Sequence, residues 1–335
     1  MKALIVGSGL AGVTVAEALA KSGRHDLCLV TAEKQGYYSR PLLSHGISRD
    51  EDGAARIVMK RFDALAPGIR VLHGTRVEGI DREAKRVVLE DGTSLPYDVL
   101  VLATGSAARI PPPLMASWGS FFTLNSLDDL LLLRQRRAEC VAAGVTPRWA
   151  VIGGGLIGCE LASDLHKAGD LVTVFHREER LLELQLSEIQ SLALHEHFSA
   201  RRVALHYDQD VRAIVRNGSR TEVVTAEGVV GPFHGAIVST GFAPRIELAR
   251  DAGLATSRGI VVDERLRTAD SSVYALGDVA QIGGRLFPFV SPIRSQALWL
   301  AEHLEGGSQA PWVAPRFSPV IKIHGLKPPV AAEAA

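Results

Sequence analysis

Lys2-Ala3-Leu4-Ile5-Val6-Gly7-Ser8-Gly9-Leu10-Ala11-Gly12 joins an apolar run to a GxGxxG turn. Residues 2–6 read as a buried strand, 13–21 as a helix and 27–31 as a second strand. A turn in that setting brings a helix N-terminus and bare backbone against a pyrophosphate. Its glycines permit the tight turn and the close approach. Glu33 follows Gly12 by 21 residues, where a carboxylate accepts hydrogen bonds from ribose hydroxyls. The turn alone is a weak signal, and its strand–turn–helix context strengthens it.

The same device recurs 146 residues on, as Gly153-Gly154-Gly155-Leu156-Ile157-Gly158. Trp149-Ala150-Val151-Ile152 precedes it, a helix to about Lys167 follows, and 171–175 read as the next strand. Two copies at that separation imply two nucleotide-binding domains rather than a solenoid. The second copy differs at the strand end. His176 stands there, 18 residues after Gly158, with Arg177 and Arg180 close behind. Cations accommodate a 2′-phosphate, so the pattern leans towards NADPH over NADH. The competing reading is a solvated turn in which Glu178 and Glu179 neutralise the arginines and NADH is accepted.

The length, 335 residues, suits two domains. Lys+Arg and Asp+Glu are both 37, so there is no basic excess for nucleic acid. The three cysteines, Cys28, Cys140 and Cys159, form no close pair, which speaks against a metal site or a local redox disulfide. Few cysteines and no signal peptide fit a cytoplasmic protein. No apolar run approaches the ~20 residues of a membrane span. Further strands are expected at 70–73, 86–89 and 98–102, with a turn at 90–93. Ser126 with Asp129 marks a helix start, and 291–305 read as a closing helix. Crossings between domains are expected at Pro111-Pro112-Pro113 and near Val238-Ser239-Thr240-Gly241.

Five segments together resemble the FAD-dependent pyridine nucleotide-disulfide oxidoreductases, and within them the rubredoxin, flavorubredoxin and ferredoxin reductases. They are residues 7–12; Tyr38-Ser39-Arg40-Pro41-Leu42-Leu43-Ser44-His45; Ala103-Thr104-Gly105; residues 153–158 with Glu160; and Tyr274-Ala275-Leu276-Gly277-Asp278. The resemblance implies an α/β chain of two Rossmann-like domains, the NAD(P)-binding one (113–238) inserted into the FAD-binding one (1–112 and 239–310). It implies FAD on Gly7, Gly9, Leu10, Ala11 and Gly12, with Glu33 on the adenosine ribose. Arg40 and Pro41 would run along the flavin, and Ala103, Thr104 and Gly105 would close over the dinucleotide. Val77 and Gly277 join this set. Asp278 would bond the ribityl chain, and the helix near Pro292 would point its N-terminus at the flavin. The nicotinamide dinucleotide would lie on Gly153, Gly155, Leu156, Ile157, Gly158 and Gly241, with His176, Arg177 and Arg180 at its ribose.

By the same resemblance Glu160 sits between nicotinamide and flavin. His45 stands where relatives carry a lysine that pairs with this glutamate, or a redox cysteine. A His45–Glu160 pair is therefore the expected catalytic feature. With no thiol relay, electrons leave the flavin directly. The expected acceptor is a small iron–sulfur protein, rubredoxin or ferredoxin. An NAD(P)H oxidase or small-molecule reductase is the enzymatic alternative, and a flavin-bearing redox sensor or scaffold subunit the other. Such reductases continue into a third domain. Pro319-Val320-Ile321-Lys322-Ile323 resembles its first strand, and residues 311–335 read as its remnant or a tail. A partner chain replacing that domain is a further expectation.

Overall fold

The computed structural model describes residues 1–47, 57–318 and 320–326. Pro319 and the alanine-rich end, 331–335, lie outside the described residues. Six α-helices occur among the described residues: α1 (Leu10–Ala20), α2 (Leu127–Ala142), α3 (Leu156–Lys167), α4 (Glu188–Ser199), α5 (Glu247–Asp251) and α6 (Val290–Leu304). The chain divides into two compact units. The first comprises Met1–Ser39, Val58–Ala107 and Ala243–Phe317. The second comprises Arg40–Ile57, Ala108–Phe242 and Ser318–Ala335, so most of it is inserted within the first.

The first unit is built on a five-stranded sheet in the order Val273–Ala275, Val99–Leu102, Lys2–Val6, Asp26–Thr31, Ile69–His73. Every pair in it is parallel. Parallel strands are covered on both faces, so they read as continuous apolar runs. Ile5, Leu29, Leu100 and Val101 are accordingly sealed in one core with Val15 and Leu19 of α1 and Ala297 and Leu300 of α6. The expected turn at 90–93 joins antiparallel strands Arg86–Leu89 and Ser94–Pro96, with Gly92 at φ +80°.

The second unit holds a four-stranded parallel sheet in the order Ala204–His206, Leu171–Phe175, Arg148–Ile152, Gly235–Val238. It repeats the first in more than the glycine turn. Each unit runs strand, glycine turn, helix, then outward strands. Each then makes a three-stranded antiparallel meander, 77–96 in the first and 211–233 in the second. Each returns to lay its next parallel strand on the far side of the opening strand. That reversal of direction is a topological switch point, and α/β sheets bind ligands outside the carboxyl ends of the strands there.

Two details differ from the sequence expectation. The first helix begins at Leu10 rather than Val13, because Gly9 takes an extended N-cap conformation and helical geometry starts at once after it. Residues 321–323 do not build a strand; they run along α3, as described below. Ser126 caps α2 as expected, in a reciprocal pair with Asp129.

One buried ion pair ties α2 to the second sheet. Asp170 is sealed, with its side chain 0% exposed, and Arg137 meets both its oxygens through Nε and Nη2 at 2.9–3.1 Å. Trp149 Nε1 donates to the same carboxylate at 2.9 Å. Removing one partner of a buried pair leaves an uncompensated charge. Arg137→Met is therefore expected to lower stability by about 3 kcal/mol, read as a lower urea midpoint with an unchanged slope.

Candidate functional site

Both glycine turns are closed by contacts that only glycine allows. Gly7 has φ +109°, and a Cβ on Gly12 would lie 1.9 Å from the Gly7 carbonyl oxygen. In the second unit Gly153 has φ +115°, and a Cβ on Gly158 would lie 1.8 Å from the Gly153 oxygen. The turns also bond their sheets alike. Gly7 N–H donates to Val30 O and Gly153 N–H to Phe175 O, each at 2.8 Å. Gly9 and Gly155 behave differently, for a Cβ on either meets nothing within 4 Å. The open side of each turn is where a ligand's backbone approach would be made.

Helix ends sharpen that assignment. The first N–H groups of a helix have no intrahelical acceptor. In α2 and α4 they are met by capping boxes, Ser126 with Asp129 and Ser187 with Gln190. In α1, α3 and α6 there is no side-chain cap and no acidic residue in the first turn. Two of these three ends follow glycine turns at switch points. An uncapped, unneutralised N-terminus with a bare glycine approach suits a pyrophosphate. The residues present therefore fit a dinucleotide in each unit.

The residues around the first turn are held by their own network. Tyr38 Oη donates to Glu33 Oε1 at 2.7 Å, and Glu33 N–H donates to Thr31 Oγ1 at 3.1 Å. Ala103 N–H donates to Val6 O at 2.8 Å, and Thr104 Oγ1 donates to Arg245 O at 3.0 Å. Ser106 Oγ donates to Asp278 Oδ2 at 2.7 Å. Gly277, at φ +80°, gives its N–H to the sealed Gln296 of α6 at 2.7 Å, and Gln296 Nε2 has no partner among the described residues. Leu10 is half-buried and Ala11 buried in the first turn of α1. Half-buried Val77 opens the meander, and buried Pro292 is the third residue of α6. Ser106 and Gln296 belong to this network without having been singled out, and Tyr38, named as part of the 38–45 segment, had been given no role. A tyrosine five residues after Glu33 was the available signal for that role.

At the second turn Leu156 is half-buried and Ile157 exposed, and Gly241 is exposed at φ +101°. Ser239-Thr240-Gly241 mirrors Ala103-Thr104-Gly105. Ser239 N–H donates to Ile152 O at 2.8 Å, and Thr240 Oγ1 donates to Arg109 O at 2.7 Å. His176 faces inward, 7% exposed, its Nδ1 accepting Gly154 N–H at 3.1 Å. With Nδ1 an acceptor, Nε2 carries the proton, and it lies 3.0 Å from Arg180 O and 3.1 Å from Glu183 Oε2. Arg180 spends its guanidinium on Leu186 O, Ser191 Oγ and Glu183 O at 2.7–2.9 Å. Arg177 alone of these three side chains points to solvent, 78% exposed and paired with Glu178 at 2.8 Å.

Glu160 lies on α3, just past the first turn. Lys322 N–H donates to its Oε1 at 3.0 Å, and Lys322 Nζ stands 3.6 Å from Oε2. Burial lifts its pKa above the ordinary carboxylate value, while Lys322 pulls it down and Asp164 pushes it up. One turn further on, Asp164 is 1% exposed. His324 Nε2 meets its Oδ1 at 2.6 Å, and His45 Nε2 lies 3.9 Å from its Oδ2. The His45 and His324 rings are 6.2 Å apart. Arg40 and Pro41 belong to this second unit, and the Pro41 carbonyl accepts from Lys322 Nζ at 2.7 Å. Sequence reasoning gave Glu160 a histidine partner; the structure shows Lys322 on Glu160 and His45 beside Asp164.

Lys322, His324 and Asp164 were missed, although their spacing is a signal. Glu160 and Asp164 are an i, i+4 pair on a helix, about 6 Å apart along the axis. Lys322 and His324 are an i, i+2 pair, and their contacts fall one on each of these carboxylates. Cys159, between them and the glycine turn, is fully buried, donates to Gly154 O at 3.2 Å and has its pKa pushed far up by burial. All three cysteines are free.

Known proteins resemble this chain along most of its length. A family model described as pyridine nucleotide-disulphide oxidoreductase matches residues 1–299. The nitric oxide reductase FlRd-NAD(+) reductase of Vibrio vulnificus (strain CMCP6) is 35% identical over 308 residues, 90% of this chain and 78% of that protein. The rubredoxin-NAD(+) reductase of Alcanivorax borkumensis is likewise 35% identical over 308 residues, with the same coverage of 90% and 78%. The crystal structure of a ferredoxin reductase from Rhodopseudomonas palustris superposes with a TM-score of 0.86 at 30% identity, over 95% of this chain and 79% of that one. The resemblance read from the motifs is borne out, as are the two Rossmann-like sheets. The chain belongs to the pyridine nucleotide-disulphide oxidoreductase family, whose members work with FAD and NAD(P)H.

Proposed function

We propose that this chain is an NADH-dependent flavoprotein reductase that delivers electrons to a small iron–sulfur protein, rubredoxin first and ferredoxin second. The observation that carries the reading is the pair of uncapped glycine-turn helices in a chain whose three cysteines are all free. Two dinucleotides have seats, and no cysteine pair stands ready to relay electrons. We assign FAD to residues 1–112 and 239–310 and the nicotinamide dinucleotide to 113–238. The names of the relatives, NAD(+) reductases of rubredoxin and flavorubredoxin, support the acceptor class. The free cysteines fit a cytoplasmic location, and no helix among the described residues is long and apolar enough to cross a membrane.

The residues divide the work as follows. The α1 and α3 N-termini hold the pyrophosphates, and Glu33, oriented by Tyr38, takes the adenosine ribose of FAD. Asp278, oriented by Ser106, takes the ribityl chain. Bound FAD supplies acceptance of a hydride and release of single electrons. Glu160 orients the nicotinamide by accepting a hydrogen bond from it. His176 and Arg180 are committed to the interior, so the cationic pocket for a 2′-phosphate is reduced to Arg177. That supports NADH as the donor over NADPH.

An anaerobic titration following the flavin absorption band tests the donor and the activity together. NADH is expected to bleach the band at least about tenfold faster than NADPH, the ratio one bidentate phosphate contact supplies. Rubredoxin or ferredoxin is then expected to restore it. Equal rates, or faster bleaching by NADPH, would overturn the donor assignment, and restoration only by oxygen or small oxidants would favour an oxidase. A second test uses Gly155→Ala. Its Cβ enters open space at an ordinary φ of −78°, so the urea midpoint should hold while calorimetry shows NADH bound about tenfold more weakly. Gly158→Ala, with its 1.8 Å clash, should unfold the unit instead.

A further inference from the structure

Residues 320–326 are bonded to the second unit at more points than a passing segment needs. Lys322 N–H reaches Glu160 and His324 N–H reaches Ser163 Oγ, at 3.0 and 2.9 Å. The His324 ring holds Asp164 at 2.6 Å, and His197 Nε2 of α4 lies 3.1 Å from the His324 carbonyl. Ile321 and Ile323 are 3% and 8% exposed. Lys322 spans from the Pro41 carbonyl to the Glu160 carboxylate. Ordering so long a side chain loses ~2 kcal/mol of rotamer freedom, which the fixed contacts must outweigh.

We propose that residues 320–326 form a strap that positions Glu160 for the nicotinamide, with Lys322 as the positioning residue and the His324–Asp164 contact as its anchor. The inference rests on the role given to Glu160 above. Two different groups of one residue meet the two oxygens of the carboxylate. The Lys322 N–H fixes the direction of Oε1, and the ammonium balances charge at Oε2. The titratable groups gathered here are Lys322 and His324 on the strap, His45 on the Arg40–Ile57 segment, and Asp164 and Cys159 on α3. Asp164 and burial both favour a protonated Glu160, and Lys322 is the cation that opposes them. Glu160 kept ionised retains acceptor-only oxygens for the nicotinamide.

The test uses the full chain loaded with FAD, and reads the titration of Glu160 by its carboxyl-carbon NMR resonance, identified by its loss in Glu160→Gln. In Lys322→Gln the midpoint is expected to rise by about one pH unit, and in Lys322→Arg to return to its original place. The pH profile of kcat/KM for NADH should move with it. Hydrogen exchange of the 320–326 amides should quicken about tenfold in His324→Ala, which loses the anchor. An unchanged midpoint in Lys322→Gln, or an arginine variant that behaves like the glutamine one, would overturn the proposal. The midpoint is readable whether or not NADH bleaches the flavin, so failure of the reductase reading and failure of the strap give different results.

Discussion

The carbonyl oxygen of the first glycine in each turn lies against the backbone of the last, so close that a Cβ would fall within 2 Å of it. That contact seats the helix directly on the end of the strand. It places the helix N-terminus at the switch point of the sheet and leaves the space beside the middle glycine open. The same constraint operates in both units, and the surrounding hydrogen bonds repeat with it. Removing it would displace the helix from the strand and, with it, the positive end of the helix dipole.

Charge and capping then divide the helices by task. Helices α2 and α4 satisfy their own first turns with serine capping boxes and acidic first turns, and serve as walls. Helices α1 and α3 leave theirs open. A protein gains about 1 kcal/mol from an N-cap, so an end left uncapped at a switch point is better explained by a ligand's oxygens than by neglect. The inward turn of His176 satisfies one more donor of the glycine turn, because its Nδ1 accepts the Gly154 N–H.

On the far side of α3 the controlling term is burial. Glu160 and Asp164 are neighbouring carboxylates on one helical face, and like charges so placed repel unless cations meet them. Lys322 supplies the cation and His324 a hydrogen bond, both from the segment that runs along α3. His45 completes the cluster from the segment that follows Arg40 and Pro41. Polar groups in such a site must be paired to be stable there, and pairing also fixes where they point.

The local patterns were sufficient for the strand–glycine–helix openings, the apolar parallel strands, the Ser126 cap and the family, because each depends on residues within a few positions of one another. Two things were beyond them. The meander and the ATG/STG returns that make the units repeats of one design depend on strand order, which periodicity does not encode. The identity of Glu160's partner depends on a lysine 162 residues away in sequence. A histidine at position 45 suggested itself because its position in a family motif is legible; that Lys322 lies on Glu160, and that His176 and Arg180 turn inward, was decided only when tertiary packing chose which donors each buried acceptor would meet.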